Sequence, residues 1–591
     1  MSVPRSEYPR PQFVRDQWLC LNGTWQFEID HGDSGIERGL LNRALTGQIT
    51  LPFCPESTLS GIGHVDYMLA VWYRREITIP ADWANQRVLL HIQAADYDTT
   101  VFANGKEVAR HRGGWCGFTA DLSSIATPGQ SLTLVIRCRD DIRKSAPQGK
   151  QSRGYHNAGC HYTRTTGIWQ TVWLEPVPQS YLKRPRITPD VGNAMFHVEQ
   201  SVLPSFGAAQ IRYTLKDIQG IVCTTTAPAS TDFVVRASLK IPADRIHLWQ
   251  PGNGFLYDLV MELLDSSGKV IDRARSYAGL RSITVKGQSV LINGKPIFQR
   301  LVLDQGYYTD GILTAPTDDA LVGDIQLSLD AGFNGARLHQ KVFEERFLYH
   351  ADRMGYLCWG EFGDWGIDQD NPQPTIITQW LEAVQRDYSH PCIIGWCPLN
   401  ESSRPFLDRI DQLDDLTRGT FLAAKLVDAT RPVLDASGYS HRVLDADIYD
   451  SHDYDQKPDT FRQRHAKTAS GEPYVNKPWQ AGRENEMISV GYRQQPYFVS
   501  EFGGIWWNPN AKPGDNSWGY GDRCKSIDEF YTRFEGLCAV LLENPGMFGY
   551  CYTQLTDVFQ EQNGIYRFDR STKFDMTRIK AAQTKRAAIE A

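Results

Sequence analysis

No apolar run in this 591-residue chain approaches the ~20 residues that cross a bilayer; one of the longer ones is only Leu537–Leu542. No membrane-spanning helix is expected. The first ten residues, Met1 to Arg10, hold no apolar segment of the secretory kind, so a cytoplasmic protein is expected. Excess positive charge is also missing. Lys and Arg number 62 against 69 Asp and Glu, a formal charge of −7, with no long basic run. That balance argues against electrostatic binding of nucleic acid. The 12 cysteines are scattered and none falls in a CxxC pair. They read as reduced, buried thiols, Cys160 and Cys358 included, and no disulfide framework or metal site is expected. Nor is there an internal repeat of 20–50 residues or a low-complexity tail.

What the chain does have is size and aromatic rings. Its length implies about three or four domains. There are 16 Trp, 26 Tyr and 25 Phe. Such rings either stack on sugars or fill β-sandwich cores, and composition alone favours the core. Residues 1–176 alternate in short strands, such as Leu132-Thr133-Leu134-Val135-Ile136, broken by turn signals such as Asn104-Gly105. This suits a jelly roll. Residues 177–283 continue in strands and fit an immunoglobulin-like sandwich, with a hairpin turn at Asp265–Lys269.

The period changes near residue 284. Thr317 is placed to cap a helix carrying Leu321, Ile325 and Leu329. Strand-like Phe333–His339 follows, then helical Phe343–Met354, strand-like Leu357–Glu361, helix Ile376–Tyr388, strand Ile393–Leu399 and helix Phe421–Asp428. Alternating strands and helices over residues 284–591 predict a (β/α)8 barrel. Chemistry in such a barrel sits at the C-terminal ends of the strands. Two glutamates occupy such places: Glu401 after Ile393–Asn400, and Glu501 after Tyr497–Ser500. Two carboxylates converging there are the apparatus of glycoside hydrolysis. Glu361, in Trp359–Trp365, is a third carboxylate in the same kind of position.

At this point the chain resembles glycoside hydrolase family 2, the family of β-galactosidases and β-glucuronidases. The resemblance rests on Leu21-Asn22-Gly23-Thr24-Trp25, Val101–Lys106, Thr166-Gly167-Ile168-Trp169, Ile292-Asn293-Gly294-Lys295-Pro296, Phe333–His339 and Ser389–Trp396. It implies Glu401 as general acid/base, with a raised pKa, and Glu501 as an ionised nucleophile. It implies that Asn400 bonds the sugar 2-OH, that Arg337 keeps the nucleophile ionised and that Tyr454 touches it. His339, His452, Asp304, Glu361 and the loop residues His161 and Arg164 are further candidates for the sugar site. The two carboxyls of a retaining site should lie about 5–5.5 Å apart.

The resemblance leaves the sugar open. Members acting on glucuronides carry an Asn-x-Lys element late in the barrel, and the matching stretch here, Gln560–Tyr566, has no lysine. Another Asn-x-Lys, at Asn510–Lys512, reads as an exposed loop. Some members hold magnesium beside the acid/base; Trp365 stands at one ligand's place, so no metal and no cofactor is expected. The usual last-strand Trp is missing from Gly549–Gln554. The expected activity is a retaining, exo-acting glycosidase on an oligosaccharide or glycoconjugate. A β-galactoside comes first on family frequency; β-galactofuranosides, α-L-arabinofuranosides and hexuronides are the alternatives. A silent carbohydrate-binding protein is the opposing class. A homo-oligomer, most simply a dimer, is expected.

Overall fold

The computed structural model describes residues 3–203, 207–512 and 514–590. The N-terminal sandwich packs an antiparallel six-stranded sheet against a four-stranded one. The long central strands Ala70–Thr78 and Ser131–Arg139 pair over their full length. Their alternate apolar side chains, with Trp25, Phe27 and Leu174, are buried between the sheets. The second sandwich pairs a four-stranded sheet, Gly220–Pro228, Gln210–Asp217, Tyr257–Leu264 and Val270–Ala278, with a three-stranded one. Leu259, Met261 and Leu263 point into its core and Glu262 outward, as period-2 alternation requires.

The third unit is a curled parallel sheet. Its strands are β1 (Gln299–Asp304), β2 (Gly335–Leu338), β3 (Leu357–Glu361), β4 (Ile393–Cys397), β5 (Ser437–Tyr439), β6 (Tyr449–Asp453), β7 (Tyr497–Gly503) and β8 (Gly549–Thr553). Seven are bonded in the order β4-β3-β2-β1-β8-β7-β6. Residues 433–439 fill the remaining gap. On one side Leu434 N–H bonds Trp396 O at 2.9 Å and Ser437 N–H bonds Leu399 O at 2.8 Å; on the other Gly438 N–H bonds the Asp450 carboxylate at 3.0 Å. The result is a (β/α)8 barrel whose fifth strand is short and irregular.

Local sequence explains these elements. The Thr317 side chain accepts from Ala320 N–H and starts the helix Asp318–Asp330. The helix expected at Phe421–Asp428 runs over Gln412–Val427, because Asp411 caps it with a reciprocal bond to Asp414. The barrel strands are buried on both faces, so β4, and β3 as far as Glu361, carry no charged or strongly polar side chain. Two glycines make room for indoles between these strands. A Cβ on Gly395 would lie 2.6 Å from the Trp359 ring, and one on Gly360 2.6 Å from Trp396. Among the described residues no helix is long and apolar enough to cross a membrane.

A segment of the first sandwich reaches the barrel mouth. Gln148 N–H bonds Trp365 O at 2.8 Å and Gly149 N–H bonds Gly363 O at 2.9 Å. Gly149 has φ +62°, and a Cβ there would fall 2.2 Å from Gln340 O, so only glycine allows this approach. Farther along, Tyr162 OH bonds the Glu561 carboxylate at 2.5 Å, and Gln560 Nε2 bonds Gly159 O at 2.6 Å.

Candidate active site

Glu501 lies in β7, buried, and Glu401 follows β4 in the short segment Asn400–Ser402. The Glu401 backbone sits at φ +52°, a left-handed conformation that costs a non-glycine residue strain and occurs often at functional sites. One oxygen of each glutamate and one nitrogen of His452 lie within 4.8 Å of one another.

Arg337 of β2 organises the floor. It is fully buried, and each end of its guanidinium is used. Nε donates to Glu361 Oε1, Nη1 to Ser500 O at 2.7 Å and to Glu501 Oε1 at 3.2 Å, and Nη2 to Asn400 Oδ1 at 3.1 Å. Burial alone would lower its pKa, and the charges of Glu361 and Glu501 outweigh that and hold it well up. Tyr454 donates to the other Glu501 oxygen at 2.5 Å, and its ring stacks on Tyr520 with centroids 3.4 Å apart. Glu361 is therefore the counter-ion of Arg337 and a hydrogen-bond partner of His339, and it does not face the sugar site as an independent carboxylate.

His452 of β6 joins the two glutamates. Its Nδ1 is 2.7 Å from Glu401 Oε1 and 3.4 Å from Glu501 Oε2. Its Nε2 is 3.0 Å from Ser437 Oγ, whose hydroxyl donates to Asp450 at 2.9 Å. Both ring nitrogens thus face acceptors, as an imidazolium requires. Burial lowers the ring's pKa, but the two glutamates outweigh it and hold it above the ordinary histidine value. The same contact reverses the expectation for Glu401. Burial pushes its carboxyl up, but the His452 hydrogen bond and charge leave it below the ordinary value. In the free protein the pair therefore holds its proton on His452.

This sets a pH dependence. Loss of that last proton should define the alkaline limb of kcat/KM. In His452→Gln the limb belongs to Glu401 alone, so it should move acidward by about one pH unit or more. A limb left in place would contradict the shared proton.

His339 is neutral. Burial and Lys150 hold its pKa well below the ordinary value. Nδ1 is 3.0 Å from Glu361 Oε2, and Nε2 is buried without a partner. Asn400 Nδ2 is also buried and unpartnered. These two atoms, an acceptor and a donor, are free for sugar hydroxyls. The remaining candidates lie apart. Asp304 ends β1 and accepts from Gly306 N–H at 2.9 Å; burial and Asp324 push its carboxyl up to about 7. No bond joins it to the glutamate pair among the described residues. Arg164 donates to Ser152 O, Gly154 O and Val65 O at 3.2, 2.7 and 2.7 Å, so it holds the loop together. His161 lies against Trp365, centroids 5.4 Å apart, at the mouth.

Several residues at the mouth were not expected: Lys150, Glu561, Ser437, Asp450 and Tyr520. None sits in a strand-end motif, except that Asp450 opens the stretch holding His452 and Tyr454. Glu401, His452 and Glu501 offer three ligand atoms close enough to hold a metal ion, with His452 Nδ1 already bonded to Glu401 Oε1 at 2.7 Å. A second cluster, Asp352, His390 and Cys392, is a closed hydrogen-bonded core: Asp352 accepts from Tyr277 OH, His390 Nδ1 and Cys392 N–H at 2.7, 2.6 and 2.9 Å.

Comparison with known proteins bears on the family and the fold. The model of the sugar-binding domain of family 2 glycosyl hydrolases matches residues 61–174, and a second family 2 model matches residues 180–281. The chain is similar to a β-glucuronidase of Paenibacillus borealis, 26% identical over 65% of this chain and 67% of that one. It is also similar to that of Felis catus, 27% identical over 67% of this chain and 65% of that one. Among solved structures, a Lactobacillus rhamnosus β-glucuronidase superposes with a TM-score of 0.79 at 20% identity, covering 98% of each chain. The Ruminococcus gnavus β-glucuronidase bound to D-glucuronic acid gives 0.78 at 19% identity, covering 99% of this chain and 100% of that one. At those identities the structural likeness speaks for the fold alone. Two sandwiches and a barrel with this set of relatives define a glycosidase, an enzyme that hydrolyses O-glycosyl bonds. The two matched models and these relatives support glycoside hydrolase family 2.

Proposed function

We propose that the protein is a retaining, exo-acting glycosidase that releases a terminal hexuronic acid from a glycoconjugate or oligosaccharide. The observation that carries the mechanism is the carboxylate spacing. Oxygens of Glu401 and Glu501 approach within 4.8 Å. Retaining enzymes hold their carboxyls about 5–5.5 Å apart, while inverting enzymes leave about 6.5–9.5 Å for a water. Glu501, bonded by Arg337 and Tyr454, is the nucleophile that attacks the anomeric carbon. Glu401 gives the leaving-group oxygen the proton it shares with His452, then takes one from the water that hydrolyses the glycosyl-enzyme. Asn400 Nδ2 donates to one sugar hydroxyl and His339 Nε2 accepts from another. The sandwich loop at residues 148–162 closes one side of the mouth, which suits a single terminal sugar.

Support for the sugar comes from the relatives, which are named β-glucuronidases. They support a hexuronide above the β-galactoside that family frequency favours. The test is initial rates on aryl β-glucuronide, β-galacturonide, β-galactoside, β-galactofuranoside and α-L-arabinofuranoside. One uronide should exceed every neutral member by about 100-fold or more, the scale on which a site built for a polar group rejects a substrate lacking it. A dominant neutral sugar would overturn the hexuronide reading and leave the mechanism standing.

A further inference from the structure

A buried carboxylate needs a cation. If the substrate is a hexuronide, as proposed above, some residue at the mouth must supply one. The late-barrel stretch Gln560–Tyr566 does not: it offers Glu561, tied to Tyr162 OH at 2.5 Å and Asn563 Nδ2 at 3.1 Å.

Most cations near the mouth are already committed. Arg337 is saturated by Glu361, Glu501, Asn400 and Ser500 O. Lys341 donates to Gly306 O and Leu313 O at 2.6 and 2.7 Å. Lys573 pairs with Asp557 at 2.8 Å. Arg153 donates to Gln148 Oε1 at 3.1 Å and to Gly366 O. Arg164 is spent on loop carbonyls.

Lys150 is different. Its residue is 6% exposed, and its Nζ lies 5.0 Å from the centre of the Trp365 ring. The backbone around it is pinned to the barrel through Gln148 and Gly149, and Lys150 O accepts from Tyr162 N–H at 2.8 Å. Among the described residues its ammonium has no hydrogen-bond acceptor and no carboxylate within ion-pair distance. Cys160, Glu561, Glu501 and Glu401 act on it at longer range, which places it in the field of the catalytic mouth. An ammonium has three donors, and among the described residues none of those on Lys150 meets a protein acceptor. The arrangement makes sense when an acceptor arrives with the substrate.

We propose that Lys150, delivered by the N-terminal sandwich, binds the carboxylate of the terminal sugar. The specificity residue thus comes from the sandwich, outside the barrel that performs the chemistry. The loop's backbone bonds to Gly363 and Trp365 fix where the charge sits. Trp365 supplies a flat face that holds the ammonium before substrate binds, through a cation–π contact that a carboxylate leaves intact.

The test compares Lys150→Met with the unaltered enzyme on two matched pairs: aryl β-glucuronide against β-glucoside, and β-galacturonide against β-galactoside. Each pair differs only in a carboxylate for a hydroxymethyl group. Truncating one partner of a buried charge pair costs enough to lower kcat/KM on the preferred uronide by about 100-fold. The loss should fall chiefly on KM, and the uronide-to-neutral ratio should drop by about 30-fold or more. Inhibition by D-glucaro-1,5-lactone relative to D-glucono-1,5-lactone reads the same contact without turnover, and the preference for the former should vanish. Lys150→Gln covers the case in which the methionine variant does not fold, and Lys150→Arg should keep part of the preference. If the unaltered enzyme prefers a uronide and both neutral variants keep that preference, Lys150 is not the carboxylate's partner and the hexuronide reading stands. If the unaltered enzyme prefers the neutral member of both pairs, the hexuronide reading fails and this inference fails with it.

Discussion

Glu501→Gln should lower kcat by about 10⁴-fold or more, equivalent to ~5.4 kcal/mol of transition-state stabilisation. The amide has nearly the shape of the carboxylate, so β7 and its packing should survive. It can still accept from Tyr454 or Arg337, both of which bond the native side chain. What it lacks is a charged oxygen able to form a bond to the anomeric carbon. Steady-state rates on the preferred aryl glycoside check this, with circular dichroism to confirm folding. Activity retained above about one hundredth of the original, on the same energy scale, would remove Glu501 from the nucleophile's role.

Arg337→Met should damage both stability and rate. The guanidinium is 0% exposed and neutralises Glu361 and Glu501 together. Removing one member of a buried ion network leaves uncompensated charge, at a cost of about 3–5 kcal/mol. Glu361, whose carboxyl burial already pushes up, would take up a proton more readily, and Glu501 would lose the Nη1 bond that positions it. We expect a barrel transition at clearly lower temperature and kcat lower by about 10³-fold, or ~4 kcal/mol. Arg337→Lys should rescue little, because one ammonium cannot span Glu361, Glu501, Asn400 and the Ser500 carbonyl as the planar fork does. Full activity in the lysine variant would mean that charge alone suffices there.

The parts of this site that sequence discloses are those that follow strand periodicity. Glu401 and Glu501 come at the ends of apolar runs, and Arg337 and His339 share one strand face because they are two residues apart. Tyr454 and His452 come in one short stretch with the same spacing. Thr317 announces its helix by capping chemistry. Other features are invisible to such patterns. Lys150 belongs to a turn of another domain, and bonds that no sequence pattern announces, such as those to Gly363 and Trp365, bring it to the barrel. The fifth strand is short, and residues 433–439 show neither alternation nor a long apolar run. Arg164 stands in a promising motif, yet three carbonyls of its own fold consume its donors. The protonation of Glu401 fails for a different reason. Burial predicts a raised pKa, and the His452 ring, with Lys150 and Arg337 behind it, reverses the sign.

The account stands most directly on stereochemistry. Proton NMR of the sugar released from the preferred aryl β-glycoside, recorded before mutarotation, reports the first anomer formed. The Glu401–Glu501 spacing predicts the β-anomer, by two displacements through a glycosyl-enzyme. An α-anomer formed first would mean a single displacement by water, and Glu501 could not then be the nucleophile.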